Sequence, residues 1–208
     1  MALVEVTNII FENELALFQT PISLQITFEV LNDLSDEIEW NLIYIGSPLS
    51  EKFDQVLDNF SMGPLQRGVM QFTITSQPPN YQLIPTKEDL FSVSALILTA
   101  KYRQKEFFRV GYYVYNNYTE AELIENEPQV VLIDRVYRQI MGSNPRITKF
   151  PIDWEGQLTQ LYVLPTNQQF MFESMIQQQQ NNIGMQTEQN EQVQQGQQSN
   201  STFTQNLF

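Results

Sequence analysis

Two acidic clusters are the residues whose types and spacing could do chemistry. Asp36, Glu37 and Glu39 form one; Glu51, Asp54 and Asp58 form the other. A carboxylate pair can serve as acid and nucleophile in glycoside hydrolysis, and clustered carboxylates can ligate a hard cation. Neither cluster has the spacing of a metal loop, and no Gly-rich phosphate loop is present. The chain has no His and no Cys. That excludes disulfides, thiol nucleophiles, thiolate or imidazole zinc sites, and every triad that needs an imidazole. The clusters therefore read as solvated acidic faces. No catalytic residue, cofactor or metal is expected, and the chain reads as a protein-interaction module.

The elements that would carry such a surface read as strands. Leu24, Ile26, Phe28 and Val30 alternate with polar residues, the pattern of a half-buried strand. Leu3–Phe11, Trp40–Gly46 and Val69–Ile74 read as further strands. Thr86 opens a short helix; Thr119 caps a second helical turn. Glu51–Leu57 has mixed character, and Val130–Asp134 reads as extended. Arg135–Met141 reads as a brief helix ended by Gly142. Arg146–Ile152 is a last strand. Short strands at this spacing predict an all-β antiparallel sandwich with short helical turns.

The stretch Val93–Thr119 is a hairpin turning at Arg103-Gln104-Lys105. Side chains alternate faces along a strand. Val93, Ala95, Ile97, Thr99 and Lys101 share one face of its first run; Leu96, Leu98, Ala100 and Tyr102 share the other. Arg109, Gly111 and Tyr113 share a face of the second run. Both faces of the first run are apolar. Either the strand is buried on both sides, or one face meets a partner.

Charge is lopsided, with 24 acidic against 11 basic residues and a net charge of −13. A nucleic-acid footprint needs clustered Lys and Arg, so direct nucleic-acid binding is not expected; an acidic surface favours basic partners. No signal peptide or bilayer-spanning stretch is evident, so the expected compartment is intracellular and no membrane partner is expected. Beyond Lys149 there is no Lys or Arg, and residues 174–208 are roughly half Gln and Asn. Residues 176–208 read as a disordered tail. Residues 156–175 are more apolar and read as a linker or a docking segment.

Several motifs in one order resemble the anti-silencing function family of histone chaperones. They are Asp33–Trp40 (DLSDEIEW), Tyr44–Ser47 (YIGS), Phe53–Asp58 (FDQVLD), Arg109–Val114 (RVGYYV) with Asn117–Glu120 (NYTE), and Ser143–Phe150 (SNPRITKF) with Trp154-Glu155. The resemblance spans residues 1–155. It implies an immunoglobulin-like sandwich that binds one histone H3–H4 dimer, blocks its tetramerisation, and hands it to other chaperones. It also implies a monomer in the nucleus with a cytoplasmic pool.

On this resemblance the histone surface falls on Ile45, Asp54, Asp89, Val93, Ala95, Ile97, Arg109, Tyr113, Arg146 and Thr148. A groove for a basic segment of upstream chaperones falls on Asp36 and Glu37, beside a strand that includes Phe60, Met62 and Pro64. Ala95 stands where the family usually has Val, and Leu49 replaces an acid at the rim. Those departures keep an alternative open, a β-sandwich adaptor of the same fold that binds another basic protein.

Overall fold

The computed structural model describes residues 2–154. The segments 156–175 and 176–208, read above as a linker or docking segment and a tail, lie outside the described residues. Ten strands and two short helices run in the order β1 (Val4–Phe11), β2 (Leu15–Leu17), β3 (Ile22–Val30), β4 (Ile38–Tyr44), β5 (Gln55–Met62), β6 (Gly68–Ser76), α1 (Lys87–Phe91), β7 (Ser94–Tyr102), β8 (Lys105–Tyr118), α2 (Ala121–Glu125), β9 (Val136–Ile140) and β10 (Arg146–Lys149). They form two antiparallel sheets, an immunoglobulin-like sandwich. One has the order β1-β3-β6; the other has the order β2-β9-β8-β7-β4-β5, with β10 added beside β8. Among the described residues, no helix is long and apolar enough to cross a membrane.

Alternation decides what the sheets bury. Leu24, Ile26, Phe28 and Val30 of β3 are fully buried, as are Trp40, Leu42 and Tyr44 of β4 and Leu96, Leu98, Ala100 and Tyr102 of β7. The Trp40 ring meets Phe28 at 5.6 Å and Phe72 at 5.2 Å between centroids, so it ties the two sheets together. Trp154 closes one end of the core by stacking on Tyr102 at 5.3 Å. Each such aromatic contact adds to the burial that stabilises the sandwich.

The hairpin of β7 and β8 turns on two residues, Arg103 and Gln104, not three. Both have left-handed backbones, with φ of 49° and 63°. Two positive φ values match the twist of antiparallel strands, and Gly or Asn usually takes them. Here a long side chain supplies compensation. Arg103 pairs with Asp36, donates to Ser35 Oγ at 3.0 Å, and lies over the Tyr102 ring at 5.2 Å. The hairpin tip and the acidic turn between β3 and β4 are thereby one structural unit.

Four sequence expectations are corrected. Residues 136–140 form strand β9, not a helix; its inward residues are Val136, Arg138 and Ile140. The stretch read as mixed, Glu51–Leu57, is a single 3-10 turn (Glu51–Phe53) running into β5. Thr119 does not cap α2, which starts after Glu120 with no side-chain cap bond. Residues 133–135 form a 3-10 turn rather than extended chain. Thr86, by contrast, does cap α1, accepting from the Asp89 amide at 3.0 Å.

Arg138 explains why β9 does not show in the apolar pattern. It is fully buried, and its Nη1 donates to the Phe18 and Thr20 carbonyls at 3.0 and 2.9 Å. Burial pushes its guanidinium down to about 10, partly opposed by the nearby Tyr44. Nε and Nη2 find no partner among the described residues. The two carbonyls belong to the chain just after β2, so Arg138 straps that edge of the sheet to β9. Arg138→Met removes both donors and leaves two carbonyls unpaired, which should cost about 2 kcal/mol and lower the thermal midpoint by about 6 °C. An unchanged or higher midpoint in a calorimetric scan would mean that burying the guanidinium costs more than its two bonds return.

Candidate partner face and acidic cleft

Strand β7 is covered on one face only. Its inward residues are fully buried, whereas its outward Ala95, Ile97 and Lys101 are half-buried, with Thr99 between them buried. The registers build this outward face row by row. Ile43 on β4 pairs with Val56 on β5 and Ile97 on β7; Ile97 pairs with Gly111 on β8, and Gly111 pairs with Arg146 on β10. The row on one side is polar, with Asn41, Thr99, Arg109 and Thr148. The row on the other holds Ala95 opposite Tyr113, with the Ile45 amide bonded to the Ala95 carbonyl at 2.9 Å. Val93 continues it and is 47% exposed. A β-carbon at Gly111 would touch nothing within 4 Å, so the row is flat and open there.

The sheet rim gives this face its charge. A concavity of about 550 Å³ lies beside it, with Ile45, Ile97 and Arg109 on the sheet side and Asp54, Glu51 and Leu49 on the loop side. Gly46 makes the loop possible: a β-carbon there would collide with the Phe53 carbonyl. Asp54 is half-buried, and its Oδ1 is sealed from solvent without a hydrogen-bond partner among the described residues. Burial, and then the neighbouring Glu51 charge, push its carboxyl above the usual carboxylate range. A carboxylate left in that condition is ready for a cation brought by a partner.

Arg109 is aimed by Glu106, whose two carboxylate oxygens accept from Nε and Nη2 at 2.6 and 3.0 Å. That bond holds the guanidinium above its usual value. Arg146 lies over the Tyr113 ring at 5.3 Å.

The sequence-derived residues Ile45, Val93, Ala95, Ile97, Arg109, Tyr113, Arg146 and Thr148 thus share one surface, with Asp54 at its rim. Asp89 has a different setting. Its Oδ1 accepts from Ser47 Oγ at 2.9 Å and its Oδ2 from Thr86 Oγ1 at 2.8 Å, so it pins α1 to the loop after β4. Sequence reasoning missed Ile43 and Val56. Ile43 lies two residues before Ile45, so its parity alone places it on this face; Val56 needs the register of β5, which an acid-rich sequence conceals.

The second predicted surface is a cleft of about 590 Å³ lined by Asp36, Glu37, Glu39, Pro64, Lys101 and Arg103, among others. Gly63 lets the two walls approach, since a β-carbon there would lie 2.7 Å from Glu37 Cα. Among the described residues β5 pairs only with β4, which leaves its other backbone edge open there. One expectation changes here. Phe60 and Met62 lie on β5, the strand beside the cleft, while their side chains pair with Trp40 and Ile38 and pack toward the core, Phe60 on Phe72 at 5.3 Å. Pro64 lines the cleft but lies beyond the end of β5. Among the described residues, no cluster of acids could hold a metal ion.

A model of the family described as "ASF1 like histone chaperone" matches residues 1–155. The chain is 43% identical over 155 residues to "Histone chaperone asf1b" of Xenopus tropicalis, covering 74% of this chain and 77% of that protein. It is 41% identical over 157 residues to "Probable histone chaperone ASF1A" of Arabidopsis thaliana, covering 76% and 80%.

The raised Asp54 carboxyl predicts a pH dependence. In the folded chain Asp54 holds a proton that the unfolded chain has already lost, so its contribution to stability falls as pH rises through that window. Asp54→Asn should therefore raise the urea midpoint at pH 7 and flatten the loss of stability between acidic and neutral pH. A lower midpoint for Asp54→Asn would show that the carboxylate has a stabilising partner in the free protein.

Proposed function

The chain belongs to the ASF1-like histone chaperone family, and from that membership we propose that it binds one H3–H4 dimer on the outward face of β4, β7, β8 and β10. The observation that carries the reading is the uncovered apolar row through Ile43, Ile97 and Gly111, flanked by Ala95 and Val93 and rimmed by acids. Desolvating that area supplies affinity at about 25 cal/mol per Å². Asp54 and Glu51 at the rim complement a basic partner and set its orientation. A partner covering this face would be unable to use the same surface for a second dimer, which is how tetramerisation would be blocked.

Strand β10 supports the rest of the reading. Among the described residues it pairs with β8 on one side only, and Arg146 and Thr148 pair with outward residues of β8. Its other backbone edge is free to accept an added strand, the role proposed for the carboxyl-terminal strand of H4. The acidic cleft and the open edge of β5 would take a basic segment of another chaperone, through backbone bonds for affinity and Asp36 and Glu37 for register. Because Asp36 already holds Arg103, the incoming cation must replace or share that contact. Handing the dimer on would then need no overlap between the two surfaces. The protein would work as a monomer in the nucleus, with a cytoplasmic pool.

Ala95→Arg tests the histone face. Ala95 is half-buried and outward, so the long side chain can reach solvent in the free protein, but it would leave an unpaired charge at the centre of the complex. The thermal midpoint should stay within about 2 °C, while H3–H4 binding falls by at least about a hundredfold. Asp36→Arg with Glu37→Arg should spare H3–H4 and abolish binding of a basic co-chaperone peptide. Retained histone binding by Ala95→Arg would contradict the proposed face; equal loss of both partners in the double variant would contradict two separate surfaces.

A further inference from the structure

A third hollow lies where β8 ends. Phe91 at the end of α1, Tyr118 at the end of β8, and Leu123 and Ile124 of α2 surround a volume of about 320 Å³, with Asn117 and Glu127 also lining it. None of these residues lines the concavity beside the outward face or the acidic cleft. The floor is held rigid. The Phe91 and Tyr118 rings meet at 5.2 Å between centroids, and the Tyr118 hydroxyl accepts from the Leu132 amide at 3.0 Å. α2 turns Leu123 partly into the core but leaves Ile124 61% exposed. Such a hollow falls at the small end of ligand pockets, about 300 Å³, with room for one large apolar side chain.

The surrounding charge says what kind of side chain arrives with company. α2 and its flanks carry Glu120, Glu122, Glu125 and Glu127. Arg135 pairs with Glu120 at 2.8 Å and Lys87 with Glu127 at 3.0 Å. Glu122 and Glu125 are exposed, and neither has an ion pair among the described residues. They flank Leu123 and Ile124 in sequence, so the apolar hollow and the unmatched negative charge belong to the same five-residue helix. An acidic segment would be repelled from this end of the molecule, and a neutral one would leave the charges unanswered.

We infer that this hollow docks a short basic peptide segment, seating one apolar side chain against Phe91, Leu123 and Ile124 while flanking Lys or Arg residues face Glu122 and Glu125. The site goes beyond the two surfaces of the proposed function and needs neither of them. It gives the chain a third way to hold a basic partner: an anchor in a pocket rather than a face or a strand edge.

The test titrates the full-length chain into a fluorescein-labelled, Lys- and Arg-rich peptide with one central Phe, read by anisotropy. Saturable binding is expected, weakened at least about tenfold when the central Phe becomes Ser, and equally by Ile124→Asp. Glu122→Lys with Glu125→Lys should also weaken it about tenfold. Asp36→Arg with Glu37→Arg closes the acidic cleft, which would take the same basic peptide, so the α2 variants are also compared in that background, where the tenfold losses should persist. The charge-reversal pair, exposed in the free protein, decides the matter if Ile124→Asp fails to fold. Equal affinity for the Phe and Ser peptides, or no effect of the α2 variants, would reduce the attraction to diffuse acidity and overturn the proposal. Loss confined to the Asp36 and Glu37 variant would place the peptide in the acidic cleft and overturn it equally.

Discussion

The pleat of β7, held in register between β4 and β8, is the constraint on which the rest depends. Leu96, Leu98, Ala100 and Tyr102 are fully buried, and their burial fixes which way the intervening residues point. A slip of one residue would send Ala95 and Ile97 into the core and expose the core set. Because β4 pairs on one side of β7 and β8 on the other, the outward apolar residues sit on backbone that is bonded along both edges. The outward surface is therefore prebuilt, and little ordering cost would remain for a partner that docks on it.

An open apolar face and several free strand edges are liabilities as well as assets. The chain manages them with charge and shortness. The rim of the outward face carries Asp54 and Glu51. β10 has four residues, all exposed, and β2 has three. The net charge of −13 keeps like copies apart and admits basic partners. The same economy explains Arg103: one guanidinium completes the strained hairpin tip and lines the acidic cleft, so turn geometry and recognition are coupled there.

Local alternation makes much of this legible in the sequence. The strands β3, β4 and β7 have clean parity, but the surplus apolar face of β7 leaves burial on both sides and a partner surface equally open until the sheet order and the exposure of its residues are known. What stays hidden depends on partners far away in the chain. β9 carries an inward arginine, which breaks the apolar pattern; its acceptors are the Phe18 and Thr20 carbonyls, more than a hundred residues earlier. β5 carries Asp58 and Asn59 inside a strand, and Asn59 is accommodated by Asn41 and Glu39 across the register. The roles of Phe60 and Met62 cannot be separated from the cleft without knowing which side of β5 faces Trp40. Asp89 is placed on the histone surface by the resemblance alone, and only the fold brings Ser47 and Thr86 onto its two oxygens.

The central claim is that the outward face of β4 and β7 is the histone contact. The most direct measurement is the isoleucine methyl spectrum of the full-length chain as H3–H4 is added. Ile43, Ile45 and Ile97 should shift or broaden at saturation, while the fully buried Ile22 and Ile26 hold their positions. Unmoved signals for Ile43, Ile45 and Ile97 in a chain saturated with histones would contradict the account, because the uncovered apolar row of the sheet would then have no part in binding.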